Sequence, residues 1–216
     1  MKILGLTLLS LFFCLNECSE DYQKKNISEK DMNLNNDQFE VATFGAGCFW
    51  CVEAVFQELI GVNKVISGYM GGNVPNPSYE EVCRGTTGHA EVAQIHFDPD
   101  KIDYSTLLEV FWTTHDPTTL NRQGYDVGTQ YRSVIFYHND KQKSLAEDSK
   151  TEVAPLLWKD PIVTEIVEVG PFYQAEDYHQ DFYSLNPNYG YCRAVINPKM
   201  EKFRKRFADK LKTANP

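Results

Sequence analysis

Beyond its N-terminal leader, this 216-residue chain never strings together the roughly 18 apolar residues that a membrane-crossing helix needs. It is also short of positive charge: 21 Lys and Arg face 30 Asp and Glu, a formal charge of −9. That balance argues against nucleic acid or an anionic membrane surface as the main partner, and it favours solubility. Internal repeats are lacking, and so are low-complexity blocks after residue 38. Paired metal-ligand spacings are missing too. A zinc site would need two ligands beyond Cys48 and Cys51, and Cys83 and Cys192 are single and widely spaced, so no metal is expected. What the chain does have is 42% apolar residues, with 13 Phe, 12 Tyr and 3 Trp. That is ample for the core of one domain of about 170 residues.

Lys2 and the apolar run Ile3 to Phe13 read as the n-region and h-region of an export signal. Leu15-Asn16-Glu17-Cys18 loosely resembles the leucine-to-cysteine spacing of bacterial lipoprotein signals, and Ser19-Glu20-Asp21 begins a polar tether. Lipid attachment is therefore expected at Cys18, with Cys14 as the alternative and a plain cleaved secretory signal as the other reading. The expected location is the periplasm or cell envelope, with the membrane touched only through the lipid. Residues 1–18 form the signal, 19–40 a flexible tether too polar to offset its ordering entropy, and 41–211 the folded domain.

The domain is organised around Gly45-Ala46-Gly47-Cys48-Phe49-Trp50-Cys51-Val52-Glu53. A period-two run, Phe39 to Phe44, precedes it. Val52, Val55, Phe56 and Leu59 follow at helical spacing, with Gly61 as a stop signal. Cys48 is thus expected at a helix N-terminus, where free N–H groups and the macrodipole lower a thiol's pKa. Further strands are expected at Val62–Tyr69, Ala90–Phe97, Tyr131–Tyr137 and Ile162–Val169. Helices are expected from Ser78 (a capping box with Glu81), at Tyr104–Thr114, Asp140–Ala154, Ala175–Tyr183 and Lys199–Leu211. A polar loop should span His115–Gln130, and Gly190-Tyr191-Cys192 should lie in another. The mixture predicts an α+β domain with helices on a mixed sheet.

Three features carry chemistry. Cys48-x-x-Cys51 suits a nucleophile, a thioredoxin-like redox pair or a structural disulfide. Glu91 alternates with Ala93, Ile95 and Phe97 on the apolar face of its strand, where desolvation raises a carboxyl's pKa and suits a general acid. A strand-end carboxylate paired with Lys or Arg is the plainer reading. Tyr79 and Tyr131, in or beside loops, could donate hydrogen bonds to a substrate oxygen, or simply pack.

Seven blocks then follow in order: Gly47-Cys48-Phe49-Trp50, Gly68-Tyr69, Asn76-Pro77-Ser78-Tyr79, Thr87-Gly88-His89-Ala90-Glu91, Gly128-Thr129-Gln130-Tyr131-Arg132-Ser133, Ala175-Glu176-Asp177-Tyr178-His179-Gln180 and Gly190-Tyr191-Cys192. Together, from about Val41 to Phe207, they resemble the A-type peptide methionine sulfoxide reductases. The resemblance implies a two-layer α+β sandwich with a ferredoxin-like core and elaborations, and no metal or organic cofactor. It implies reduction of the S epimer of methionine sulfoxide, in proteins or free, with thioredoxin or a thioredoxin-like donor as the recycling partner. Cys48 would attack the sulfur and become a sulfenic acid, while Glu91 protonates the oxygen with help from Tyr79 and Tyr131. Phe49 and Trp50 would seat the methyl group, and Asp126 would support the polar side. Cys192 matches the family's resolving position on a mobile C-terminal loop. Cys51 stands where the common motif has glycine, so it is a second candidate resolver, with a relay between the two as a third route. Cys192 is preferred, because a loop cysteine can move and a helical one cannot. His89 and His179 are read as structural, and a monomer is expected. The rival readings are a thioredoxin-like thiol–disulfide oxidoreductase using Cys48-x-x-Cys51, and a binding domain stapled by a Cys48–Cys51 disulfide.

Overall fold

Phe44 shows how the layers are held together. It lies fully buried in the first strand, and its ring meets Phe56, Tyr104 and Phe111 at centroid distances of 5.6, 5.9 and 5.1 Å. In the computed structural model, which describes residues 38–213, that strand is β1 (Glu40–Ala46). Phe56 comes from α1 (Phe49–Gln57), and Tyr104 and Phe111 come from α3 (Tyr104–Thr114). Both helices therefore cover one face of the sheet. Burying each such ring is worth roughly 1.5–3 kcal/mol. The expected signal, both lipidation cysteines and most of the tether lie outside the described residues.

The remaining elements are β2 (Val62–Met70), α2 (Tyr79–Cys83), β3 (Ala90–Phe97), β4 (Arg122–Gln123), β5 (Asp126–Val127), β6 (Ser133–Tyr137), α4 (Asp140–Glu152), α5 (Ala154–Leu157), β7 (Glu165–Glu168), β8 (Tyr173–Gln174), α6 (Phe182–Leu185) and α7 (Asn197–Arg206). Six strands form one sheet in the order β7-β6-β1-β3-β2-β8, antiparallel except for the β6–β7 pair. The run β1-α1-β2-β3-α3-β6, with spatial order β6-β1-β3-β2, is the split βαβ arrangement of a ferredoxin-like core. The α+β, mixed-sheet expectation holds. In β1 and β3, Phe44 pairs with Ala93, so the residues of β3 that share Ala93's face, Glu91 among them, look toward the helices. On the other face, Met70, Ala90, Val92, Val134 and Phe136 form a smaller core with Val169 and Phe172.

Several elements differ from expectation. Ala175–Tyr183 is not a helix: it contains one 3₁₀ turn (Asp177–His179), then Asp181 at φ +54, then the short α6. The Gln180 side chain explains the break. Its carbonyl accepts from Ser67 N and its amide donates to Ser67 O, satisfying the β2 edge in place of a ladder. Gly190-Tyr191-Cys192 is not a loop. Cys192–Ile196 forms a π-helical turn leading straight into α7, and Cys192 is fully buried. Pro198 has no N–H for the Ala194 carbonyl, and the turn before it widens. The helix expected at Asp140–Ala154 closes at Glu152, and Pro155 sits in the first turn of α5, where its missing N–H costs nothing. The long polar loop holds the β4–β5 hairpin.

Candidate active site

Strand β1 runs into Gly47, whose φ of +86 a side chain would resist. A Cβ there would also meet the Gln123 Cγ at 2.6 Å. The turn delivers Cys48 to the N-cap of α1 as expected, and its carbonyl accepts the Cys51 N–H at 3.0 Å. The first free amide of the helix, Phe49 N–H, donates to Glu91 Oε2 at 3.0 Å. The carboxyl is 1% exposed, and burial pushes its pKa up to about 8 against the opposing pull of the Phe49 amide; Asp126 and Cys51 push the same way as burial. Glu91 therefore holds a proton at neutral pH while its position is fixed by the helix end.

Two phenols complete the polar wall. Tyr79 opens α2 behind the expected Ser78–Glu81 capping box, and its N–H donates to Glu176 Oε1 at 2.9 Å. The Tyr69 hydroxyl donates to the other Glu176 oxygen at 2.9 Å, tying β2 to the same carboxylate. Tyr131 ends the Thr129–Tyr131 3₁₀ turn before β6. Burial raises the pKa of both Tyr79 and Tyr131, and the charge of Glu91 adds to it, so both remain O–H donors.

The opposite wall is aromatic. Trp50 stacks on Phe182 at 3.7 Å with planes 6° apart, and its Nε1–H donates to His179 Nδ1 at 3.1 Å. His179 packs against Tyr79 and Phe49 at 4.4 and 5.0 Å. These contacts hold the Trp50 indole and the Tyr79 ring in place. His89 likewise ties loops: it accepts from Gly72 N–H at 3.0 Å and, through its other nitrogen, donates to the Val74 carbonyl at 2.8 Å.

These walls enclose a cleft of about 210 Å³ lined by Cys48, Phe49, Trp50, Tyr79, Glu91, Asp126 and Tyr131. Seven residues named from sequence thus meet at one place. Cys51 and Cys192 do not line it. Cys51 is buried one turn behind Cys48, and Cys192 is buried beneath Tyr191. Two lining residues were missed, Tyr189 and Tyr191. The Tyr191 hydroxyl donates to Asp126 Oδ2 at 2.6 Å and lies 3.9 Å from Cys51 Sγ. Its block, Gly190-Tyr191-Cys192, had been valued only for its cysteine. Glu176 was missed in the same way within the Ala175–Gln180 block.

The thiols reverse one expectation. Cys48 does not have a lowered pKa: burial raises it well above the usual value, with Cys51 and Glu91 adding to the effect. Desolvation outweighs the helix terminus. Cys51 is lowered to about 6, chiefly by its side-chain hydrogen bond with Cys48, with Lys199 and Tyr191 assisting against burial. Burial thus opposes charge on Cys48, while the shared hydrogen bond favours it on Cys51. Among the described residues no group of three His, Cys, Asp or Glu side chains is placed to hold a metal, and no helix is long and apolar enough to cross a membrane.

Residues 40–211 match the family model described as peptide methionine sulfoxide reductase. A peptide methionine sulfoxide reductase MsrA of Sulfolobus acidocaldarius is 58% identical over 171 residues, covering 79% of this chain and 97% of the relative. The MsrA 1 of Rhodopirellula baltica is 55% identical over 173 residues, covering 80% and 90%. Among solved structures, reduced Mxr1 from Saccharomyces cerevisiae superposes with a TM-score of 0.67 at 34% identity over 73% of this chain and 91% of its own. The methionine sulfoxide reductase A of Corynebacterium diphtheriae gives 0.66 at 35% over 74% and 80%. A buried thiol, a protonated carboxyl and two phenols converge on one small cleft, in a chain matched along nearly all of its described length. This chain belongs to the peptide methionine sulfoxide reductase family.

Proposed function

We propose that this reductase acts on the S epimer of methionine sulfoxide, in peptides and free, with Cys48 as nucleophile and Glu91 as acid. The observation that carries the assignment is the Phe49 N–H to Glu91 hydrogen bond, which holds a protonated carboxyl against the helix end that begins at Cys48. A sulfoxide is a poor electrophile until its oxygen is protonated, so an acid beside a thiol suits it, and a plain disulfide exchanger has no use for one. Phe49 and Trp50 seat the methyl group; Tyr79 and Tyr131 donate to the oxygen.

In the reductive step Cys48 passes its proton to Cys51, and the resulting Cys48 thiolate attacks the sulfoxide sulfur. Glu91 protonates the oxygen, the oxygen transfers to Cys48, and methionine leaves with a sulfenic acid on Cys48. Cys51 then attacks the sulfenic sulfur, expelling water and closing a Cys48–Cys51 disulfide. The side-chain link between the two thiols and the lowered Cys51 pKa support Cys51 as first resolver, and the burial of Cys192 supports a later place for it. Cys192 next exchanges with that disulfide, and a thioredoxin-type dithiol returns the enzyme to the reduced state. A monomer exported on a lipid at Cys18 is the accompanying reading of the leader; a membrane-fraction protein with an N-terminal mass increase is the expected result, and a soluble protein starting at Ser19 is the contrary one.

The test is an epimer-resolved assay on methionine sulfoxide with dithiothreitol. Wild type should consume only the S epimer, and Cys48→Ser should be folded and inactive. Reduction of protein disulfides without turnover of the sulfoxide would instead favour the thioredoxin-like reading.

A further inference from the structure

A second hollow, of about 490 Å³, lies outside the cleft. Its apolar floor includes Trp158, Val195 and the buried Phe203, and its rim carries Lys199, Lys202 and Arg206 on one face of α7. Lys202 and Arg206 are exposed, and among the described residues neither Lys199 nor Lys202 has a carboxylate within ion-pair distance. Arg206 faces Glu109 at 3.8 Å, a surface pair of little strength. The carboxylate at the other end, Asp116, is engaged by the Thr118 N–H and hydroxyl at 2.9 and 2.6 Å. On a chain of charge −9, this is a cationic trough with a greasy floor. Its charge complements an acidic segment bearing an apolar residue.

The walls of the trough lead to the thiols. Val195 belongs to the π-helical turn that begins with Cys192, and Lys199 lies one turn farther along the same helix. On the other side, Gln123 lies against Gly47, the residue before Cys48. A single occupant would touch the Cys192 turn directly and Gln123, which lies against the Cys48 turn. Cys192 is fully buried, so no external thiol reaches it until those two elements part.

We propose that this trough is the docking seat for the protein dithiol that recycles the enzyme, engaged through an acidic segment of that partner. The proposal rests on the reading of Cys48, Cys51 and Cys192 as the redox-active thiols. The partner's thiolate attacks the enzyme disulfide and forms a mixed disulfide while releasing one enzyme thiolate. The partner's second thiol then closes its own disulfide and releases the other. Two electrons and two protons pass to the enzyme.

The experiment compares the full chain with Lys202→Glu and with the Lys202→Glu, Arg206→Glu double variant. Each is driven either by a thioredoxin of net negative charge or by dithiothreitol, at low and high salt. The double variant should raise the KM for thioredoxin about tenfold and flatten its salt dependence, with dithiothreitol-driven turnover unchanged. Lys202→Glu alone should give an intermediate effect. An unchanged thioredoxin KM overturns the proposal, and so does an equal loss with both reductants. Failure of wild type to turn over with dithiothreitol would strike the functional reading instead.

Discussion

The amide of Phe49 donates to the carboxyl of Glu91 at 3.0 Å, across 42 residues of sequence. The bond ties the helix that starts at Cys48, the proposed nucleophile, to the strand that carries Glu91, the proposed acid. It aims a carboxyl into the cleft while leaving it buried enough to stay protonated. The Glu91 carboxyl and the Cys48 thiol are thus both placed by the same helix end.

The first prediction concerns the Glu91 proton. With its pKa near 8, the reductive step should be flat between about pH 6 and 8, falling below that range as the thiol pair takes up its proton and declining above it as the carboxyl ionises. Glu91→Gln should slow single-turnover methionine release about 10²–10⁴-fold and remove the declining limb. Because the folded pKa lies above the unfolded one, wild type binds an extra proton when folded and loses stability as pH rises from about 4.5 through 8. Glu91→Gln should therefore be more stable than wild type at pH 9, by urea denaturation, and lose that advantage near pH 4.

The second prediction separates the resolvers. Cys51→Ser should release one methionine and stop at a sulfenic acid that a dimedone label captures. Cys192→Ser should release one methionine and stop at a Cys48–Cys51 disulfide, seen by peptide mapping. Efficient disulfide formation between Cys48 and Cys192 in Cys51→Ser would restore Cys192 as first resolver.

The third concerns His115, buried at the C-terminal end of α3. Its Nδ1–H donates to the Phe111 carbonyl and its Nε2 accepts from Ser133 Oγ–H, both at 2.7 Å; Ser133 in turn accepts from Thr164 at 2.7 Å. Burial, against the favourable Phe111 carbonyl, holds its pKa down to about 3. The folded state therefore excludes a proton that the unfolded chain binds below about 6.5, and stability falls as pH drops from there toward 3. His115→Gln should flatten this acid-side slope in urea titrations between pH 7 and 4. An unchanged slope would shift the effect onto His96, His138 or His179, whose pKa values burial also lowers.

The fourth tests the turn before the nucleophile. Gly47→Ala adds a Cβ at φ +86 and 2.6 Å from Gln123 Cγ. It should cost about 1–2 kcal/mol in stability and lower kcat by displacing Cys48, measured by denaturation and by the dithiothreitol assay. Gln123→Gly in that background removes both the Cγ at 2.6 Å and the Cβ at 2.7 Å, and should recover part of the loss.

Local pattern was enough for much of the fold. β3 and α3 have the expected boundaries, and Ser78 and Glu81 form the expected capping box, because alternation and capping act within a few residues. The 175–183 stretch misled because its polar positions look helical while Gln180 is used to finish the β2 edge. Cys192 misled because Gly190 and the nearby Asn186-Pro187 are turn signals, yet the chain regains a helix there and buries the thiol.

What the amino-acid sequence determined by itself was the position of Cys48 at a helix start, the facing of Glu91 toward the apolar side of its strand, and seven of the nine residues that line the cleft. Each follows from spacing along a few residues or from family motifs. Tertiary structure alone decided that burial raises the Cys48 pKa, where Cys192 lies, and that Tyr191 joins Asp126 beside Cys51. Those outcomes depend on desolvation and on contacts between distant segments, and a linear pattern carries neither. Cys48 is a helix-end thiol in sequence; in the folded molecule it is a buried one whose pKa desolvation raises.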